Sequence, residues 1–389
     1  METKPRRGGK RRGATFALIM VSVVVLIGMA SLTVDVGMMY RARGEAQAAA
    51  DAAAMAGAWR LLDDESLAGT PDMSEEIVWA RDTAAEYAMK NKIVNEGPAV
   101  DIASDVLVGR LNNPWDPNEE LSYTNPDTYN TVRVLVRRDD LRNGPIDLFF
   151  AGIFGRATAD VTAEAYAALR NDVGGFRPTD ESGNSSLLPF TLHRTAWENL
   201  LDGTFTSGDN YSYNEATGAV TAGADGVYEL NIYPGGGVGA LPPGNLGTLD
   251  IGEGGNSAAD LARQILDGIS ADDLTALGGE LMLGPDGTLI LNGDTGLSAG
   301  VSNELASIIG LPRTIPLFSS VVGPGNNANF TIVGFAGIRI MYVKLTGSMS
   351  SKKVIIQPAF VIDGSAVVAG PGVVPGDGDF VYRPVELIR

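Results

Sequence analysis

The chain has 389 residues, no cysteine, a single histidine, 49 glycines and a formal net charge of −18. The missing cysteines exclude a disulfide scaffold, a thiolate nucleophile and a cysteine-ligated metal site, and one histidine excludes a histidine-rich metal centre. The acidic balance argues against nucleic acid as the main partner. The length is typical of about two or three domains.

The charge is distributed unevenly along the chain. Residues 1–12 contain six of the 29 basic side chains and one acidic residue, so the remainder carries 23 basic and 46 acidic residues. Residues 16–34 contain no charge, and about 17–25 such residues span a bilayer as a helix. Basic residues stay on the cytoplasmic side. The pattern therefore predicts a cytoplasmic basic head (1–12), a single membrane-spanning helix and an extracytoplasmic acidic body.

A cleaved signal peptide is the alternative interpretation of this start, with Gly28-Met29-Ala30 as a small-x-small cleavage site. Helix-favouring sequence, however, continues from Asp35 to Trp59. Ten of the 17 residues from 42 to 58 are alanine, which has the highest helix propensity. We therefore predict one uncleaved helix over 13–62. Its alanines form either a simple helical connector, which composition favours, or a close-packing surface for assembly.

Short motifs frame the apolar run at regular spacing. They are Arg12-Gly13-Ala14 before it, Asp35-x-Gly37 and Tyr40-x-x-Arg43 after it, and then Gln47-x-x-Ala50-Asp51-Ala52-Ala53-Ala54-Met55-Ala56-Gly57-Ala58. In this order they resemble the N-terminal module of TadG-like proteins of the Flp/Tad pilus-assembly systems, in which leucine is usual at the position of Met55. A later stretch with Pro145, Phe149-Phe150, Phe154-Gly155 and alternating 161–165 fits the end of that module more loosely.

The resemblance implies a non-enzymatic, single-pass component of a pilus-assembly or secretion apparatus in the bacterial inner membrane, without cofactor or metal. Its partners would be other pilus-assembly components and the membrane, together with self-association through the alanine-rich helix. Asp35, at the outer end of the apolar run, is expected to be hydrated at the membrane edge. The residues assigned to the anchor and assembly helix are Phe16, Val34, Asp35, Gly37, Tyr40, Arg43, Gln47, Asp51, Ala54 and Gly57.

Two departures from related patterns limit what the resemblance implies. Leu18 occupies the fifth position after Gly13, where prepilins carry glutamate, so we predict no prepilin processing. Some TadG-like proteins carry a von Willebrand A domain with a metal-binding D-x-S-x-S loop. The nearest sequence here, Asp363-Gly364-Ser365-Ala366-Val367, lacks the second serine, so we predict no such metal site.

The body is predicted to be α+β overall, beginning with a small pilin-like domain at 63–170. A capping box at 72–75 opens a helix that ends near Lys92. Strands are predicted at 99–108, 131–137 and 160–169. The second of these alternates apolar and polar residues, which is typical of a strand with one buried face. Residues 145–154 are predicted as a short amphipathic helix, and 112–130, with three prolines, as a loop.

Glycine becomes more frequent after Asn171, with 13 glycines in the first 170 residues and 36 in the remaining 219. Residues 171–186 are predicted as a linker, 187–369 as a β-rich second domain and 370–389 as a Gly/Pro-containing tail. Strands are expected at 228–233, 245–251, 328–345 and 354–362, the last an edge strand because of Pro358. Helices capped by Ser257 and Ser270, and a hairpin turn at 284–287, complete the prediction.

Four motifs could carry chemistry, and for each the structural interpretation is favoured. His193 has no acid or nucleophile nearby in sequence. Ser350 and Lys353 fit S-x-x-K, but the partner motifs of penicillin-binding enzymes are missing, so a basic turn is preferred. The glycine-rich 252–257 lacks a G-K-[ST] ending and is read as a capped turn. Residues 292–296 are too short for a calcium loop and are predicted as a tight turn.

Two other classes of function stay open at this level. An anchored extracytoplasmic binding or sensing module unrelated to pili is the alternative to the assembly role. An anchored hydrolase that uses Ser350 and Lys353, or carboxylates, is the third and least favoured.

Overall fold

A computed structural model describes residues 12–62, 64–68, 73–233, 246–252, 257–295, 297, 299–323, 325–369 and 380–388. Residues 1–11 of the predicted basic head therefore lie outside the described residues. So do Asp72 of the predicted capping box, 253–256 of the glycine-rich loop, Gly296 of the predicted tight turn, and 370–379 and Arg389 of the predicted tail.

The described residues mix helices and strands, as the α+β prediction expects. The α-helices are α1 (Arg12–Trp59), α2 (Ser74–Lys90), α3 (Arg194–Leu201), α4 (Ala258–Asp267) and α5 (Ser302–Ser307). The strands are β1 (Val106–Gly109), β2 (Thr131–Arg138), β3 (Ile146–Asp147), β4 (Thr158–Ala159), β5 (Val161–Arg170), β6 (Val173–Phe176), β7 (Phe190–His193), β8 (Tyr211–Asn214), β9 (Ala219–Ala222), β10 (Leu230–Tyr233), β11 (Leu246–Leu249), β12 (Leu281–Met282), β13 (Leu289–Thr295), β14 (Pro312–Val322), β15 (Ala328–Lys344), β16 (Lys353–Pro358), β17 (Val361–Ile362), β18 (Ala366–Val368) and β19 (Val381–Leu387).

The predicted continuous helix is confirmed as α1, whose 48 residues make a rod of about 72 Å. Its first half exposes large apolar side chains, whereas its second half is the core of the N-terminal part. Ala42, Ala46, Ala49 and Ala53 recur at helical spacing and are fully buried, because residues three, four, seven or eleven apart lie on one helix face. The alanines therefore allow close packing within the chain. This is more than the simple helical connector that composition favoured.

A five-stranded sheet with the order β1-β2-β5-β19-β17 covers that alanine face. The predicted alternation in β2 is confirmed, since Val132, Val134 and Val136 are all buried against the helix. Strand β5 contributes Ala163 and Ala165 to the same core. Small side chains on both surfaces let the helix axis approach the sheet closely. Helix α2 packs on the other flank through its own alanines.

Several local predictions in this part are corrected. Helix α2 begins after Met73, which makes no side-chain capping bond, and ends at Lys90. The strand predicted at 99–108 is restricted to β1, because 101–104 form turns closed on the Asp101 side chain and carbonyl. The helix predicted at 145–154 is wrong: β3 pairs with β4, and a 3-10 turn, Ala151–Phe154, lies between them.

In the C-terminal part, strands β15, β14, β7, β11 and β13 form a closed circuit of hydrogen-bonded neighbours, and β16 and β10 extend from β15. The long strand predicted at 328–345 is confirmed as β15. Within it, a Cβ on Gly337 would lie 2.3 Å from the carbonyl oxygen of Ala359, so only glycine permits this approach. The predicted edge strand is wrong, because β16 has neighbours on both sides and Pro358 is its last residue.

The two parts of the chain share a sheet. Strands β17 and β19 come from the C-terminal end, yet β19 pairs with β5 of the N-terminal sheet. The segment predicted as a linker contains the buried strand β6, which pairs with β12 and β18. The turn at 284–287 forms, but its flanking strands β12 and β13 pair with other strands, so the predicted hairpin is wrong.

An ion-pair cluster at the end of β2 predicts a specific pH dependence of stability. Burial raises the pKa of Asp105, but hydrogen bonds from Arg137 and the Asp101 N–H, with the charges of Arg137 and Arg142, outweigh it and hold that pKa below its usual value. The stability contributed by this carboxylate is therefore complete above its unfolded-state pKa of about 4 and is lost as the pH falls through the folded-state pKa.

The measurement is urea unfolding of the full chain in detergent between about pH 6 and pH 2, compared with Asp105→Asn. We expect the variant to be less stable near neutrality and to have the flatter acid limb. Parallel curves for the two proteins would contradict this assignment.

Candidate functional site

A buried carboxylate joins the end of the apolar run to a distant loop. Asp35 is 4% exposed, and its Oδ1 accepts a hydrogen bond from the N–H of Phe149 at 2.8 Å. Its Oδ2 accepts from the N–H of Phe150 at 3.0 Å and of Ala151 at 2.6 Å. The prediction that Asp35 is hydrated is therefore wrong, because the loop folds over it. We call this arrangement the Asp35 clamp.

The clamp works as a helix cap supplied by another element. The first N–H groups of a helical turn have no hydrogen-bond partner within the turn. A carboxylate oxygen at that end accepts hydrogen bonds from them. Here those groups belong to the residues that start the 3-10 turn Ala151–Phe154. The loop is closed by two further bonds, from the N–H of Leu148 to the Ala157 carbonyl at 2.8 Å and of Arg156 to the Ala151 carbonyl at 3.0 Å.

The position of Asp35 on α1 explains why it faces the body. Ala42, Ala46, Ala49 and Ala53 follow it by 7, 11, 14 and 18 residues, which are all close to whole turns of an α-helix. The carboxylate thus continues the buried alanine face towards the apolar half of the helix. Val34, beside it, is exposed like most of the large apolar residues before it.

The remaining predicted site residues divide between two faces of α1. Phe16, Gly37, Tyr40 and Arg43 are exposed, and nothing lies within 4 Å of a Cβ placed on Gly37. Ala54, in contrast, is fully buried in the core.

Gln47 links the helix to the sheet. Its Nε2 donates to Asp51 Oδ1 at 2.8 Å and to the Glu164 carbonyl of β5 at 3.2 Å. Gln47 therefore belongs to the helix–sheet contact of the N-terminal part, and Asp51 orients its amide from the next turn of the helix.

Gly57 marks the tightest approach to α1. A Cβ there would lie 2.9 Å from the Ala80 carbonyl oxygen, 3.0 Å from Ala84 Cβ and 3.1 Å from Val132 Cγ1. Sequence reasoning assigned Gly57 to the assembly helix but identified neither these neighbours nor the loop N–H groups that bind Asp35. The Pro145, Phe149-Phe150 motif was the one available signal for the loop.

The motifs considered for catalysis take structural positions. His193 is the N-cap of α3, accepting from the Thr195 N–H at 3.2 Å through Nδ1. Ser350 lies in an exposed turn beside Ser348, and Lys353 begins β16. Asp294 is paired within β13, so the tight turn predicted there is wrong. Ser257 caps α4 as predicted. No cluster of three or more His, Cys, Asp or Glu suited to a metal occurs in the described part.

Replacing His193 with alanine tests its structural role. We expect a loss of about 0.5–1 kcal/mol in the free energy of unfolding, typical of a removed N-cap acceptor. Urea unfolding of the variant and of the unmodified chain measures this loss. Unchanged stability would contradict the structural role of this histidine.

A cavity of about 490 Å³ lies where the N-terminal and C-terminal parts meet. Its lining is mostly apolar and aromatic, with a few polar groups such as Arg110 and Asp127 at its wall. Among the lining residues are Leu61, Tyr129, Leu200, Tyr228, Phe360 and Phe380. Its volume lies within the range of small-molecule pockets.

The N-terminal part is the region that matches known protein families. Among the described residues, one helix, Thr15–Trp59, is long and apolar enough to cross a membrane. Residues 13–60 match the Flp pilus-assembly TadE/G-like family, and residues 56–167 match the Tad-like Flp pilus-assembly family. Residues 13–167, which the two matches cover together, are therefore similar to a TadG-like Flp/Tad pilus-assembly protein. No curated protein and no solved structure matches the chain.

The TadG-like region is held together by the contacts described above. Asp35 belongs to the first matched segment, and the loop N–H groups that it binds belong to the second. Gly57 lies where the two segments overlap. The family matches and the apolar helix together support a membrane-anchored pilus-assembly component, and the matched families suggest a structural rather than an enzymatic role.

Proposed function

We propose that the chain is a non-enzymatic, single-pass component of a Flp/Tad pilus-assembly or secretion apparatus in the bacterial inner membrane. The basic head is cytoplasmic, the apolar half of α1 spans the bilayer, and the acidic body lies outside the cytoplasm. The observation that carries the proposal is α1 itself, since one unbroken helix exposes large apolar side chains in its first half and forms the core of the TadG-like region in its second.

An unbroken helix with a clamp at its midpoint makes the anchor and the body mechanically one unit. A force or tilt applied at the membrane would be transmitted to the sheet rather than absorbed by a hinge. This coupling suits a protein that positions other components relative to the bilayer. The acidic surface of the body would face those components.

Partner contacts along α1 would use the face opposite the alanines. The chain's own sheet covers the alanine face of α1. Self-association through that face would therefore require the sheet to separate from the helix. Tyr40 and Arg43 are exposed on the other face, three residues apart and thus adjacent. We therefore place the contacts with other pilus components, or with a second copy, around these two side chains.

A photo-crosslinking amino acid at Tyr40, introduced in cells that make the full chain, tests this proposal. We expect cross-links to pilus-assembly components or to a second copy, weakened by Arg43→Glu, which leaves the buried face unchanged. The matched control carries the probe at Thr217, an exposed position in the turn between β8 and β9. Equal cross-linking from both positions would mean that this face of α1 is not a specific contact surface.

The cavity favours a second candidate, an anchored module that binds a small apolar molecule. Native mass spectrometry of the full chain would detect such a molecule as a discrete added mass. Tyr228→Trp, which adds volume at the cavity wall, should reduce its occupancy. A bound molecule in a protein that cross-links to no pilus component would favour this candidate over assembly.

A further inference from the structure

The loop held by the Asp35 clamp presents apolar side chains to the outside. Phe149 is 70% exposed and Ile153 is 80% exposed, and Phe150 is more than one-third exposed. Between residues 148 and 157 the one charged residue is Arg156, although the chain as a whole is strongly acidic. Large apolar side chains grouped in this way on an exposed loop indicate an interaction surface.

The clamp fixes the height of this loop along α1. Asp35 directly follows the apolar stretch 16–34, and the 20 residues of helix from Phe16 to Asp35 rise about 30 Å, which is the thickness of the hydrocarbon core. Three hydrogen bonds from 149–151 hold the loop at that level. With the membrane placed as proposed above, the loop therefore lies at the boundary between headgroups and acyl chains.

Continuity with the lipid-facing helix indicates which partner covers the loop. Val34 and Val36, on either side of Asp35, are themselves exposed apolar residues, so the apolar surface of the span runs directly into that of the loop. Phenylalanine and large aliphatic side chains insert at this level of a bilayer in interfacial segments. A carboxylate there is costly unless it is paired, and the loop N–H groups supply that pairing.

We propose that residues 148–157, the membrane-contact loop, are a second attachment to the bilayer, with Phe149 and Ile153 inserted at the headgroup–acyl boundary of the extracytoplasmic leaflet. The inference rests on the proposed membrane anchoring. With one helix alone, the body can rotate about the helix axis. A second contact point beside the helix fixes how the sheet is oriented over the membrane.

The absence of cysteine from the sequence makes single-cysteine variants direct probes. Phe149→Cys, Ile153→Cys, Leu26→Cys in the span and Thr217→Cys on the body are each labelled with an environment-sensitive fluorophore. The full chain is reconstituted in vesicles of phosphatidylglycerol and phosphatidylethanolamine. Side-chain changes at 149 and 153 leave the clamp intact because it uses backbone N–H groups.

We expect spin-labelled lipid to quench the probes at 149 and 153 several-fold more strongly than aqueous iodide does. The probe at 26 should behave in the same way. The probe at 217 should be quenched more strongly by iodide than by lipid. Iodide quenching at 149 and 153 equal to that at 217, with 26 still quenched by lipid, would overturn the loop proposal alone. Probes at 149 and 153 shielded from both quenchers would also overturn it and indicate a protein partner. Loss of lipid quenching at 26 would instead refute the anchor on which it rests.

Discussion

Asp35→Ala is expected to release the membrane-contact loop and to lower the free energy of unfolding by about 3 kcal/mol. The substitution removes a buried acceptor and leaves the N–H groups of 149–151 without a partner. Hydrogen bonds to an ionised group contribute about 1.5–3 kcal/mol each, and those sharing one carboxylate are not additive. Hydrogen exchange measured by mass spectrometry should show these amides exchanging about 100-fold faster.

Two further variants separate the clamp from general effects on the helix. Asp35→Asn keeps one acceptor oxygen, so we expect roughly half the loss. Asp51→Ala makes the same substitution in the same helix, where the carboxylate accepts only from Gln47 in the described contacts, and should change stability by less than about 0.5 kcal/mol. If Asp35→Ala left the exchange of the loop amides unchanged, the clamp would not hold in solution.

Gly57→Ala is expected to destabilise the protein although alanine is the better helix former. The added methyl gains about 1 kcal/mol of helix propensity but meets the Ala80 carbonyl oxygen, Ala84 and Val132 at 2.9–3.1 Å. The first of these is backbone and cannot move without displacing α2. Overpacking at such a site costs about 1–3 kcal/mol, so the net change should be a loss.

Gly44→Ala is the matched control on the same helix. Nothing lies within 4 Å of a Cβ at that position, so we expect a gain of about 0.5–1 kcal/mol. Thermal unfolding of the two variants in the same detergent measures both changes. Equal effects at 44 and 57 would mean that α1 does not pack against α2 and β2 as described.

Much of the N-terminal part was predictable because local signals dominate there. The uncharged run and the alanines at helical spacing specify α1, and alternating valines specify β2. The resemblance to TadG-like proteins rested on motifs at fixed spacing, so it too could be read from one chain.

What sequence reasoning missed depends on contacts between residues far apart. Asp35 lies 114 residues before Phe149, and no periodicity indicates that a loop will cover it. Residues 145–154 are amphipathic as a helix would be, yet pairing of β3 with β4 prevails. Composition favoured a tail after residue 369, whereas 381–387 form a strand in the N-terminal sheet, since strand pairing over such distances leaves no local signature.

Membrane topology mapping with single cysteines determines whether α1 is both the anchor and the core of an extracytoplasmic body. Thr3→Cys and Thr217→Cys are treated, in spheroplasts, with a maleimide that cannot cross the membrane. We predict labelling at 217 in intact spheroplasts and at 3 only after permeabilisation, with the chain in the membrane fraction. Labelling at 3 alone, or a chain recovered in the soluble fraction, would mean that α1 does not anchor an extracytoplasmic body.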